Sequence, residues 1–387
     1  MKPFRSFLLS SRLLLFISLP LIYSTSCAQR DSLEFKIGQM IMIGFPGTTA
    51  DPDVVNAIRA GKIGSVIFFE KNIPKTNSFA GLKKITWTYQ QAASVPLLIG
   101  IDQEGGKVNR LKEKYGFTRS VSAAYIGKTQ SLDTARFYAD ATAATLAGLG
   151  FNVNFAPCVD LAINPENSAI VKPERSYSKN PDSVVYFARE VIRQHRKHNI
   201  LTSPKHFPGH GSSTADTHFG IADVTETWSD QELKPYKDLL AGNYADAIMT
   251  SHIVNKNLDP AGLPGTLSKR VIDSLLRKNM GFQGLVFTDD MQMHAITKHF
   301  GLEEAIRLAI LAGVDIMCFS NNIQGSEERT ADKVHRIILE YVKSGTISAE
   351  RIDQSYRRII AAKKKWLNAD TIRMDFKAMP KTSGKKK

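Results

Sequence analysis

The chain has 387 residues, 43% of them hydrophobic and 23% charged, and a formal net charge of +14. These proportions are those of an ordinary soluble globular protein with a sizeable core, in one large or two medium domains. The basic excess contains no Lys/Arg run with interleaved aromatics, so nucleic acid is not an expected partner.

The N-terminus reads as an export signal. Basic "MKPFRSFLLSSR" precedes apolar "LLLFISLPLIY", which is too short to span a bilayer comfortably. "STSCAQR" then offers two cleavage readings. Small residues before Cys27 suggest lipoprotein processing with a lipid anchor on that cysteine, although Ser24 stands where Leu is usual. Alternatively, Ser26 and Ala28 form a small-x-small site that releases a chain beginning at Gln29. Both readings make residues 1–27 an export signal and place the protein in the periplasm or on the outer membrane; the lipoprotein reading is preferred. Cys158 and Cys318, the other two cysteines, each lie in an apolar run, as core residues do, rather than in a disulfide framework.

From residue 36 onward, apolar β-rich runs alternate with amphipathic segments. The runs cover 36–45, 64–69, 96–102, 151–161, 200–207, 246–253, 284–290 and 314–320. Each is nearly continuous in apolar character, as strands buried on both faces of a parallel sheet are. Between them, "SFAGLKKITWTYQQAAS" spaces Phe79, Leu82, Ile85 and Tyr89 on one helical face. "NPDSVVYFAREVIRQHRKHNI" does the same with Val184, Phe187, Ala188 and Val191, and has Pro181 in its first turn. Eight strands alternating with helices predict a single α/β domain over 33–366, a closed (β/α)₈ TIM-type barrel, with an open doubly wound sheet as the alternative. After the helical segment "SAERIDQSYRRIIAAKKKWLN", residues 367–387 form a basic tail that is expected to be disordered. In a barrel, working residues belong where strands end. Asp102, Asp160, Lys205, His206, His252, Asp289 and Asp290 all fall there.

"KHFPGHGSSTADTHFG" (205–220) is the densest polar stretch. His206 and His210 have the spacing of two metal ligands on a helix, but Pro208, Gly209 and Gly211 disfavour a helix, so no metal is expected. In "ADTH", Asp216 precedes His218 by two residues, where its carboxylate can fix one imidazole tautomer and raise the basicity of the other nitrogen. The pairing suits an acid/base device, with a solvated loop histidine as the alternative, and the flanking glycines and serines suggest a movable loop. "GLVFTDDMQM" ends a buried strand in Asp289 and Asp290, which allows one nucleophile and one helix cap. "GIDQEGGKVNR" places Asp102 and Glu104 at a third strand end, where carboxylates can accept from sugar hydroxyls, and Gly105-Gly106 could let the backbone approach a ligand.

Taken together, "KHFPGHG", "ADTHFG", "IDQEGGKVNR", "PERSYSKNP" and "GFQGLVFTDDM" resemble the β-N-acetylglucosaminidases of glycoside hydrolase family 3, over residues 33 to 366. The resemblance implies a retaining hydrolase without a cofactor. On it, Asp289 matches the nucleophile, and His218 paired with Asp216 matches the acid/base of the subgroup that uses a histidine. Asp102, Arg110, Arg175, Lys205 and His206 match residues that bind N-acetylglucosamine in the −1 position. Gln292 departs from the family pattern, which has a small residue three positions after the nucleophile.

The implied partner is a β-linked GlcNAc-containing oligosaccharide, from peptidoglycan fragments or chitin-type chains. Three rivals stand beside this reading. A β-glucosidase of the family is less expected, since such enzymes usually carry a further domain. A GlcNAc phosphorylase could use the same histidine. An inactive glycan-binding lipoprotein has no use for a nucleophile opposite a proton donor.

Overall fold

The computed structural model describes residues 32–214, 220–322 and 330–367. The expected export signal, Cys27, the basic tail and the Asp216/His218 pair lie outside the described residues. The Ser32 hydroxyl accepts the Phe35 N–H at 3.2 Å and starts helix Leu33–Gln39. The first apolar run is therefore a strand only over β1 (Ile41–Gly44); residues 36–39 are helical. Gly38 explains the early helix: a Cβ there would lie 1.9 Å from Gly61 O, so the helix packs directly on that turn.

Each of the eight expected runs contributes one strand to a parallel sheet. These are β1, β2 (Ser65–Phe68), β3 (Leu98–Ile101), β4 (Val153–Asn154), β5 (Leu201–Thr202), β7 (Ala247–Met249), β9 (Leu285–Asp290) and β10 (Ile316–Phe319). Their order is β5-β4-β3-β2-β1-β10-β9-β7. The ends of that order meet through a parallel bridge between Phe207 and Thr250, with Phe207 N donating to Met249 O and Ser251 N to Phe207 O. The architecture is the (β/α)₈ barrel. β6 (Ala222–Asp223) and β8 (Ile253–Val254) form a separate short pair at its rim.

β4 and β5 are two residues long where longer strands are expected, because Pro157 and Pro204 cannot donate to a ladder. The chain continues irregularly past them, and this brings Lys205 and His206 to the rim. Inside the barrel, Phe155 and Phe287 meet edge to face at 5.3 Å, and a Cβ on Gly100 would lie 2.8 Å from the Phe155 ring.

The helices pack outside. Asn180 caps helix Pro181–Lys197, whose Val184, Phe187, Ala188 and Val191 are buried. In helix Ser78–Ala92, Leu82, Ile85 and Tyr89 are buried but Phe79 is 47% exposed. Phe79 sits in the first turn, where it reaches over Gly148 on the neighbouring helix rather than into the core. Cys158 and Cys318 are both free and buried.

Candidate active site

Because all eight strands run the same way, their C-terminal ends open on one cavity of about 320 Å³. Asp102, Arg110, Arg175, Lys205, His206 and Asp289 all line it. Glu104, expected beside Asp102 at a strand end, and His210, weighed in the sequence only as a metal ligand, line it as well.

Asp289 owes its aim to a break in strand register. Ile316 pairs with Phe287 and Cys318 with Asp290, so β9 carries one extra residue at Thr288–Asp289. The Thr288 hydroxyl repairs the ladder by accepting the Cys318 N–H at 2.9 Å. Asp290 takes the structural half of the work expected of the pair. It accepts Gln292 N and Ser320 N, each at 3.1 Å, and the Ser320 hydroxyl. Burial, with Asp289 alongside, lifts the Asp290 carboxyl to about 6. The Asp289 carboxylate accepts the Asp290 N–H at 2.8 Å and borders the cavity. Gln292, the departure from the family pattern, is buried and accepts Asn321 N through its side chain at 2.6 Å.

The loop after β3 is held by Gln103. Its side chain donates to Asn109 and accepts Arg110 N and Leu111 N at 2.9 and 3.0 Å, which fixes where Arg110 stands. Gly105 and Gly106 make a close approach to the protein's own backbone. Their φ angles are +100° and +58°, and a Cβ on either would strike Val121 O or Ser122. They let this loop pack on its neighbour.

Charge in the cavity is arranged in pairs. Lys205 Nζ lies 2.7 Å from both Asp102 Oδ1 and Glu104 Oε1. Arg175 meets Glu104 through two parallel hydrogen bonds of 2.9 and 2.7 Å. Arg110 stands 3.7 Å from Asp102. Burial works to raise the Glu104 carboxyl, but Arg175 and Lys205 outweigh it and hold the group well below the usual carboxylate range. Burial likewise opposes charge on Lys205, and Asp102 and Glu104 reverse that. Glu104 and Lys205 are therefore held in their charged forms.

His206 is fixed as one tautomer. A guanidinium only donates, so the 3.0 Å contact with Arg175 Nη2 makes His206 Nε2 an acceptor. Nδ1 then carries the hydrogen and donates to Asp160 Oδ2 at 2.7 Å. Asp160 also accepts His210 N at 2.8 Å; burial would raise its carboxyl, but His206 and His210 hold it at about 2. Cys158, Asp160 and His206 present ligand atoms within 4.8 Å of one another, the spacing a metal would need. The Cys158 thiol, however, donates to Asp160 at 3.2 Å, and burial pushes its pKa far up. Joined by these hydrogen bonds, Cys158 and Asp160 form a buried support for His206.

His210 is 3% exposed, and neither of its ring nitrogens has a hydrogen-bond partner among the described residues. Burial lowers its pKa to about 4, so near neutral pH the ring can donate from one nitrogen and accept at the other. The turn that carries it is tied down by Glu232, which accepts Gly211 N at 2.7 Å and Ser212 N at 3.4 Å. Burial raises the Glu232 carboxyl to about 7. His252, another strand-end candidate, instead contacts Thr266 Oγ1 and Asp290 O at 2.9 Å each, at the wall behind Asp289.

Residues 32–362 match the description "Glycosyl hydrolase family 3 N terminal domain". A beta-hexosaminidase of Tolumonas auensis is 30% identical over 289 residues, covering 74% of this chain and 84% of its own. A β-N-acetylglucosaminidase of family 3 from Paenibacillus sp. FPU-7 superposes with a TM-score of 0.82 at 33% identity, over 91% of this chain. This chain spans 65% of that structure's length. A β-N-acetylhexosaminidase from Beutenbergia cavernae gives 0.76 at 28% identity, over 86% of this chain and 98% of its own.

Proposed function

The chain belongs to glycosyl hydrolase family 3, and on that premise we propose that it is a retaining exo-β-N-acetylglucosaminidase. The observation that carries the reading is Asp289, turned by a strand bulge to border a cavity lined by hydrogen-bonding groups already paired and ionised. Such groups are preorganised to grip sugar hydroxyls without rearranging when the substrate arrives.

In this mechanism Asp289 attacks the anomeric carbon while His218, oriented by Asp216, protonates the departing oxygen. The same imidazole then takes a proton from water, which releases the sugar with retention. Asp102, Lys205 and Glu104 hold hydroxyls of the −1 sugar. Arg110 and the neutral His210 offer further donors, and Arg175 and Asp160 keep Glu104 and His206 in place. The substrate is a β-linked GlcNAc oligosaccharide from peptidoglycan or chitin-type chains, met outside the cytoplasm by an exported protein anchored through Cys27.

The test is a panel of chromogenic β-glycosides, GlcNAc against glucose, with and without phosphate. GlcNAc release with retention and no phosphate requirement supports the proposal. Preference for glucose, a sugar 1-phosphate product, or no turnover would favour the glucosidase, the phosphorylase or the glycan binder respectively.

A further inference from the structure

The opposite end of the barrel holds a second cavity, of about 300 Å³. It lies where the π-helix Arg270–Asn279 and helix Ala349–Trp366 meet the residues leading into β9 and β10. Lys269, Arg277, Lys278, Arg351 and Arg358 line it, with Asp273.

The protein's own carboxylates do not balance this cluster. Asp273 is engaged by Lys278 at 2.9 Å. Asp315, fully buried behind the wall, takes Arg277 at 2.6 Å and Arg358 at 3.3 Å, and also accepts Val286 N and Ser355 Oγ. Four donors on two oxygens leave it little further capacity. Among the described residues Arg351 donates to neutral acceptors, the carbonyls of Ile310 and Val314 and the Ser355 hydroxyl. Nε of Arg277, a residue only 7% exposed, has no acceptor among the described residues. Burial, and then repulsion from Arg358, push the Arg277 and Arg351 guanidiniums below their usual range despite Asp315. Capping carbonyls at the start of two strands needs N–H donors; it does not need five cations set against two carboxylates.

We propose that this cavity binds a small oxyanion of the phosphate class, held by Arg277, Arg351 and Arg358 with Lys269 at the rim. Guanidinium groups converging on one cavity suit tetrahedral oxyanions, whose oxygens accept paired N–H bonds. Inorganic phosphate and the phosphodiester of a lipid headgroup share that chemistry.

The test is calorimetric titration of the purified full chain with inorganic phosphate at low ionic strength. Saturable binding is expected, weakened at least ten-fold in Arg358→Gln, whose melting temperature should fall because Asp315 loses a partner, and several-fold in the exposed Lys269→Gln, whose melting temperature should not change; glycosidase activity should be unchanged in both at a temperature where they are folded. A tungstate soak should place density beside Arg351 and Arg358. Co-sedimentation with phosphatidylglycerol vesicles but not phosphatidylcholine, lost in the same variants, would name a headgroup as the source. Phosphate binding that survives both variants but is lost in Arg110→Gln would put the anion in the sugar cavity and overturn the proposal. So would the absence of both phosphate and vesicle binding.

Discussion

Lys205 and Asp102 meet at 2.7 Å across 103 residues of chain, with Lys205 only 2% exposed and Glu104 at the same distance on its other side. One buried ammonium thus sets the positions of two carboxylates that face the sugar cavity. Removing it strands both. Lys205→Met is expected to cost about 3–5 kcal/mol of stability, as breaking a buried charge pair does. At a temperature where the variant is still folded, it should also lose most activity. A urea titration read beside kcat/KM checks both; a variant as stable and active as the parent would refute the pairing's role.

Asp289→Asn and His218→Ala should fail differently. Without the nucleophile, no glycosyl-enzyme forms with any leaving group. Without the proton donor, an activated aryl glycoside should still transfer its sugar, whereas a natural disaccharide slows by about 10²–10⁴-fold. Intact-protein mass spectrometry should then find sugar trapped on Asp289 in His218→Ala, and azide should restore turnover in that variant alone. Equal losses with no trapped species would remove His218 from the mechanism.

His210→Leu separates binding from folding. The ring is buried and neither nitrogen has a partner among the described residues, so an apolar replacement should leave the melting temperature level or higher. If the ring bonds the sugar, KM should rise roughly 3- to 10-fold, the worth of one hydrogen bond. An unchanged KM would leave His210 without a substrate role.

Lys363 gives a pH signature. It is 2% exposed, donates to Gln39 Oε1 and Gly64 O, and burial drops its pKa from 10.5 to about 7. Between those values the unfolded chain holds a proton that the folded one does not, so stability should rise with pH from 7 to 10.5 and be lost as pH falls through 7. Lys363→Met should remove a slope of about 1.4 kcal/mol per pH unit, measurable by urea denaturation at pH 6, 8 and 10. Identical slopes in the two proteins would show that the amine stays charged.

Glu232 has the opposite sign. Its folded pKa is raised from 4.5 to about 7, so the folded state holds the extra proton and stability should fall as pH rises through that window. Glu232→Gln keeps an acceptor for Gly211 N and Ser212 N and should abolish the fall. Melting curves at pH 5 and pH 8 distinguish the two outcomes.

The barrel and the cavity residues Asp102, Lys205, His206, Asp289 and Asp290 are legible in the sequence for one physical reason: parallel strands all end on the same side, so residues just past each apolar run converge, whereas Arg110 and Arg175 are expected only from the family resemblance. What escapes is set by partners far away in the chain. The bulge at Thr288–Asp289 depends on pairing with β10, about 30 residues on, and nothing local to "TDD" marks it. Glu104 reads as one more strand-end carboxylate until Arg175, 71 residues later, closes on it. Lys363 sits in a lysine-rich helix end that reads as solvated, and only the packing of that helix on Gln39 and Gly64 buries it. Gly105-Gly106 misleads in the other direction, since a close approach is correctly anticipated but its partner is the protein's own Val121–Ser122.

The ring of strands is fastened between β5 and β7 by Phe207, which bonds Met249 and Ser251 immediately beside Lys205 and His206. This closure and residues that line the cavity are therefore consecutive in the chain. A breathing motion that parts this stitch also displaces them, and a sugar gripped by them resists the parting. On the proposed function, an occupied cavity is therefore expected to act as a clasp on the whole ring, slowing hydrogen exchange at the Phe207 and Ser251 amides.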